Sequence, residues 1–190
     1  MFFKKRMSVW LAVIVLATPI VNAQNFDVEF TFVTGTPQQQ ADFQPFLDQT
    51  EAVWESLLIG YQPGVTLTGI DIDVNLTLLS GPNVLGGHGL TGGQNTTQAG
   101  FVFYTNNAET RSVGTLFLNP QNLGSNQMQT AVDHEVGHII GFGQLFVANN
   151  LYVNNSGEYT GKQGIAAYRA EFDANAEFVP IELDLSLIHI

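Results

Sequence analysis

Cysteine is absent from the 190 residues of this chain. That excludes disulfide scaffolds, thiolate zinc ribbons, iron–sulfur clusters and cysteine nucleophiles, and it leaves His, Asp, Glu or carbonyl oxygen to hold any metal. Cations are scarce too, with 6 Lys+Arg against 17 Asp+Glu. Lys4, Lys5 and Arg6 open the chain, so only Arg111, Lys162 and Arg169 face all 17 carboxylates in the remainder. A surface this acidic repels nucleic acid and anionic lipid, and neither is expected as a partner. Long apolar runs are missing as well: residues 9–17 are the most apolar stretch, well short of the roughly 20 residues that span a bilayer. The length suits a single domain with a real core.

The two ends read differently from the middle. A basic opening, the apolar run and then small residues form the three parts of a secretory signal peptide over residues 1–23, with Val21 and Ala23 at the cleavage positions and Gln24 as the first mature residue. An uncleaved anchor is the competing reading. Export to the periplasm or the medium is therefore expected, with no stable membrane anchor after cleavage. Residues 185–190 read LSLIHI and fit nothing before them. They resemble the translated transposase-adapter end of a sequencing library, against the alternative of a genuine apolar strand. On the first reading His189 is not native, and residues 24–184 form one domain that is incomplete at its C-terminus.

Between the ends, Phe26, Val28, Phe30 and Phe32 alternate with polar neighbours, as in a half-buried strand. After a turn at Gly35, Thr36 and Pro37, residues 41–59 place Phe43, Phe46, Leu47, Val53, Trp54, Leu57 and Leu58 at helical spacing, with Pro45 limiting where the helix begins. Residues 65–79 alternate again, with Asp71 and Asp73 on the polar side, read as a solvated face rather than a calcium or acid–base pair. Residues 80–100, rich in Gly, Asn and Thr, read as a long surface loop containing His88, taken as a loop residue rather than a ligand. Two short strands follow at residues 101–104 and 113–118.

Residues 134–146 read HEVGHIIGFGQLF and contain H-E-x-x-H as His134, Glu135 and His138. Asn126 and Gln129 offer a capping start, and Met128, Ala131, Val132, Val136, Ile139 and Ile140 form an apolar helical stripe. On such a helix the two histidines sit one turn apart on nearly the same face, so both imidazoles reach one ion. Neutral imidazoles at about 2.0 to 2.1 Å suit Zn2+, and a third protein ligand would leave one position for water. Zinc acidifies that water and polarises a peptide carbonyl, while Glu135 takes the water's proton and passes it to the leaving amine.

The third ligand separates the classes of zinc protease. Gly141 and Gly143 end the helix early and turn the chain. The H-E-x-x-H-x-x-G opening resembles that of metzincins, whose compact form implies His or Asp at 144, where this chain has Gln144, a poor zinc ligand. Glu158, 20 residues beyond His138, would need a second long helix directly after the first, and the glycines and the NNSGEYTG stretch read as turn and loop instead.

The segment His134-Glu135-Val136-Gly137-His138-Ile139-Ile140-Gly141-Phe142-Gly143-Gln144-Leu145-Phe146 resembles the zinc helix of leishmanolysin-like metzincins, including bacterial secreted members, with Phe146 where Trp is usual. Tyr159-Thr160-Gly161, Ala166-Ala167-Tyr168 and Val179-Pro180-Ile181-Glu182 look like further elements of that family in the same order, and the first strand, the helix with Trp54-Glu55 and the strand from Gly114 to Asn119 fit its layout. The resemblance implies an α+β, zincin-like fold, a twisted mixed sheet with two main helices, one of them carrying H-E-x-x-H. It also implies zinc on His134 and His138, Glu135 as general base, and a third histidine and a methionine turn beyond the end of this chain. Met128 precedes the zinc helix and is not that turn.

Two functions remain in view. The first is a secreted zinc metalloendopeptidase acting on polypeptides that lie along the strand at residues 113–118, touching Gly114, Thr115 and Leu116, since peptides add to sheet edges. The second is a non-catalytic exported binding or adhesion domain on a zincin scaffold, motivated by Gln144 and the missing third ligand.

Overall fold

The alternation at the start of the domain becomes β1 (Val28–Phe32) and that after Gly69 becomes β2 (Ile70–Leu76) in a computed structural model that describes residues 26–181, apart from 59, 82, 153 and 154. The expected signal peptide at residues 1–23, Gln24, Glu182 and the expected non-native tail at residues 185–190 with His189 lie outside the described residues. Ile70, Ile72, Val74 and Leu76 are buried, as the period of two requires, whereas Leu78 is exposed beyond the strand. Asp73 faces solvent, and Asp71 accepts a hydrogen bond from Arg111, which also reaches Asp27 at 2.8 Å.

Between these strands runs α1 (Pro37–Leu57), which starts earlier than the sequence suggested. Thr36 accepts from the Gln39 backbone N–H at 3.2 Å, and the Gln39 side chain accepts from the Thr36 N–H at 2.9 Å. That capping box, with Pro37 in the first turn, turns an apparent loop signal into a helix start. Pro45 stands inside the helix on its exposed side, where solvent can take the carbonyl its missing N–H leaves. Phe43, Leu47 and Thr50 are buried; Val53 and Leu57, expected on the core stripe, are exposed.

The glycine-rich stretch after residue 80 is not one long loop. It holds β3 (Gly86–Gly89) and β4 (Gln94–Gln98), followed by β5 (Phe101–Thr105) and β6 (Ser112–Leu118). The main sheet runs β1-β2-β6-β5-β4, with β3 also on β6. β1, β2 and β6 are parallel, while β3 and β5 run antiparallel to β6 and β4 antiparallel to β5. After a 3-10 turn come α2 (Met128–Ile140), α3 (Gln144–Ala148), β7 (Glu158–Tyr159), α4 (Lys162–Glu171) and β8 (Val179–Pro180). The class is α+β, with a mixed sheet and, among the described residues, four α-helices, of which α1 and α2 are the longest.

The core lies between the sheet and helices α1 and α2, where Val28, Ile72 and Leu116 meet Phe43, Leu47, Val132 and Val136. Glu55 of α1 accepts from the Val28 N–H at 3.1 Å and ties the helix to β1. No helix among the described residues is long and apolar enough to cross a membrane.

Candidate metal centre

The stripe expected on α2 is buried: Met128, Ala131, Val132, Val136 and Ile139 all face the core, with Ile140 half-buried against it. Its start differs from expectation. Asn126 is not the cap; the Met128 N–H donates to the Ser125 carbonyl, and Gln129 turns its side chain toward α1. There Gln129 Nε2 donates to Thr50 Oγ1 at 2.9 Å and to Asp133 Oδ1 at 3.0 Å, and Thr50 Oγ1 donates to Asp133 at 2.5 Å. This buried-edge clamp fixes α2 against α1 one turn before the histidines.

Two close approaches set the depth of α2. A Cβ on Gly114 of β6 would overlap Ile139 Cγ2, and one on Gly137 would come 3.2 Å from the Trp54 ring. Gly114 therefore seats the helix on the sheet. This corrects the expectation that Gly114, Thr115 and Leu116 line a substrate edge. Thr115 and Leu116 are paired to β2 on one side and to Gly89 and His88 on the other, and all three residues are buried. Among the described residues the strand with one open side beside α2 is β3, not β6.

Gly141 ends α2 at φ 124°, with its N–H on the carbonyls of Gly137 and His138 and the Phe142 N–H reaching back to Gly137 at 3.0 Å. Only glycine enters that conformation without strain. The turn brings the Phe142 carbonyl to His138 Nδ1 at 2.8 Å. A carbonyl only accepts, so Nδ1 carries the hydrogen and the Nε2 of neutral His138 presents a lone pair. Burial pulls the His138 imidazole below its ordinary range; the neighbouring His88 and His134 add to the fall, and the Phe142 carbonyl and Glu135 oppose it.

His134 Nε2 lies 3.2 Å from His138 Nε2, the rings perpendicular. Two imidazole nitrogens on one tetrahedral ion at about 2.0–2.1 Å stand about 3.3 Å apart, so the pair fits zinc. No third His, Asp or Glu joins them in an arrangement suited to a metal among the described residues. Gln144 opens α3, and Glu158 sits exposed in β7, paired with β8 instead of standing on a second long helix.

The residue sequence reasoning missed is His88. In β3 it pairs with the buried Leu116, so its side chain lies on the face that α2 covers. Its Nδ1 is 2.6 Å from Glu135 Oε2, and its ring centroid is 4.4 Å from that of His138. The signal was faint: one histidine in four residues whose other three are glycine.

Comparison with known protein families, with curated proteins and with solved structures finds no match to this chain.

Proposed function

We propose that this chain carries the zinc-binding part of a secreted metalloendopeptidase of the leishmanolysin-like metzincin kind. The observation that carries the reading is the pair of Nε2 atoms 3.2 Å apart on one helix face, with Glu135 between them in sequence and a carbonyl fixing the tautomer of His138. Zinc held by His134 and His138 would supply a Lewis acid for the scissile carbonyl and an acidified water. Glu135 removes the proton from the attacking water and delivers it to the leaving amine, a role usually worth roughly 10²–10⁴ in rate. The polypeptide pairs with the open side of β3, where main-chain groups of Gly86–Gly89 recognise any extended sequence. The face of β3 at Gly87 is open, since a Cβ there would meet nothing within 4 Å.

The test is cleavage of an unfolded protein by the secreted gene product in the presence of zinc, beside Glu135→Ala. Zinc binding retained and cleavage lost in the variant supports the reading. Cleavage retained in Glu135→Ala sinks the mechanism, and a wild-type protein that neither binds zinc nor cleaves favours a binding domain on the same scaffold.

A further inference from the structure

We propose that His88 is a positioning residue for Glu135, fixing through its Nδ1–H which carboxylate oxygen is left to take the proton. The proposal rests on the proteolytic reading above for the role of Glu135, and on β3 and α2 for its geometry. Three relationships converge. The register of β3 on β6 sets His88 opposite Leu116 and so on the helix side of the sheet. Gly86, two residues earlier on the same face, lets the carboxylate stem close on the strand: a Cβ there would stand 3.3 Å from Glu135 Cγ and 3.3 Å from the Phe117 carbonyl. The 2.6 Å hydrogen bond then forms between side chains that are only 17% and 13% exposed.

The roles of the atoms follow. A carboxylate accepts, so Nδ1 donates, and Oε2 of Glu135 is occupied by that bond. That bond leaves Oε1 as the oxygen to take the proton of a reacting water. The imidazole cannot swing freely, because its ring lies at 31° to that of His138 with centroids 4.4 Å apart. A base held in one rotamer by a packed neighbour keeps its productive geometry, and loss of such a neighbour typically costs about 10- to 100-fold in activity. A peptide paired with β3 would order the same strand that carries His88, so strand and base are set together.

The experiment compares His88→Ala and His88→Asn in the secreted protein, Asn keeping an N–H donor near the position of Nδ1. Zinc affinity is measured by competition with a chromophoric chelator, kcat and KM on one peptide, and folding by urea midpoint. Zinc affinity should stay within about threefold of wild type in both, kcat should fall roughly 10- to 100-fold in His88→Ala with KM little changed, and much of kcat should be recovered in His88→Asn. Unchanged kcat in His88→Ala overturns the proposal. So does a zinc affinity that falls with kcat, which would make His88 a ligand, or an Asn variant that folds and is no better than Ala. In the metal-free protein, long-range ¹H–¹⁵N spectra should give His88 as the Nδ1–H tautomer, with a shift in Glu135→Gln; an Nε2–H tautomer overturns the hydrogen bond itself. That spectrum answers even if the wild type proves inactive, which would remove the proteolytic reading on separate grounds.

Discussion

His138 donates from Nδ1 to the carbonyl of Phe142, 2.8 Å away and just past the glycine that ends its helix. The helix stop and the choice of which His138 nitrogen keeps its lone pair are thus one device. Gly141 at φ 124° produces the turn, and the turn delivers the carbonyl that selects the tautomer. Trp54 braces the same corner, its ring 5.6 Å from that of Phe142 and packed over Gly137.

Gly141→Ala is expected to lower stability by about 1–3 kcal/mol, the range for a residue forced into a disfavoured backbone region. It should also weaken zinc binding by roughly tenfold or more, because Phe142 shifts with the turn. Urea midpoints and a chelator competition check both. A variant that loses stability and keeps full zinc affinity would separate the turn from the ligand.

Gly114→Ala should cost about 1–3 kcal/mol by overpacking against Ile139. Ile139→Ala alone should cost about 2–5 kcal/mol through the cavity it leaves. The double variant should cost less than the sum, since the new methyl enters space that Ile139 vacates. Additive losses would mean that the two residues do not share that contact.

The two central patterns were readable because each is local. On β2, Ile70, Ile72, Val74 and Leu76 repeat with the period of a strand, and on α2 the stripe from Met128 to Ile139 repeats with that of a helix. What escaped was set by pairing across the chain. β3 contains Gly86, Gly87, His88 and Gly89, with no side-chain alternation to mark it, and it exists because β6 offers a partner some 30 residues later. The same pairing decides which strand has an open edge, so Thr115 and Leu116 looked available and are interior. At the start of α1 the signal was present, as Thr36 with Gln39, and a neighbouring glycine and proline masked it as a turn.

Tyr61 gives a pH dependence of known sign. Burial raises its pKa above the ordinary value of 10.0, outweighing the hydrogen bond with Ser112 and the charge of Arg111, which lower it. Its hydroxyl donates to the Gly69 carbonyl at 3.0 Å and lies 3.2 Å from Ser112 Oγ. A group that is neutral when protonated and has a raised folded pKa stabilises below its unfolded pKa and loses that contribution as pH rises through the folded value. Stability should therefore fall with increasing pH above about 10, and Tyr61→Phe should flatten that part of the profile. An unchanged slope in the variant would contradict the assignment.

Thr50→Val removes the hydroxyl that joins α1 to Asp133 while keeping the side chain's shape. Loss of a partner to a part-buried carboxylate is expected to cost about 1–3 kcal/mol. Thermal unfolding of the variant measures it, and a melting curve identical to wild type would show that the clamp contributes nothing.

The most direct test of the proposed metal centre is a zinc titration of the purified full-length secreted gene product at neutral pH, by competition with a chromophoric chelator, in wild type, Glu135→Ala, His134→Ala and His138→Ala. One tightly bound zinc is expected in the first two, and a loss of at least tenfold in affinity, on the order of a lost metal contact, in each histidine variant. Equal zinc binding in all four proteins, or none in the wild type, would contradict the proposed centre.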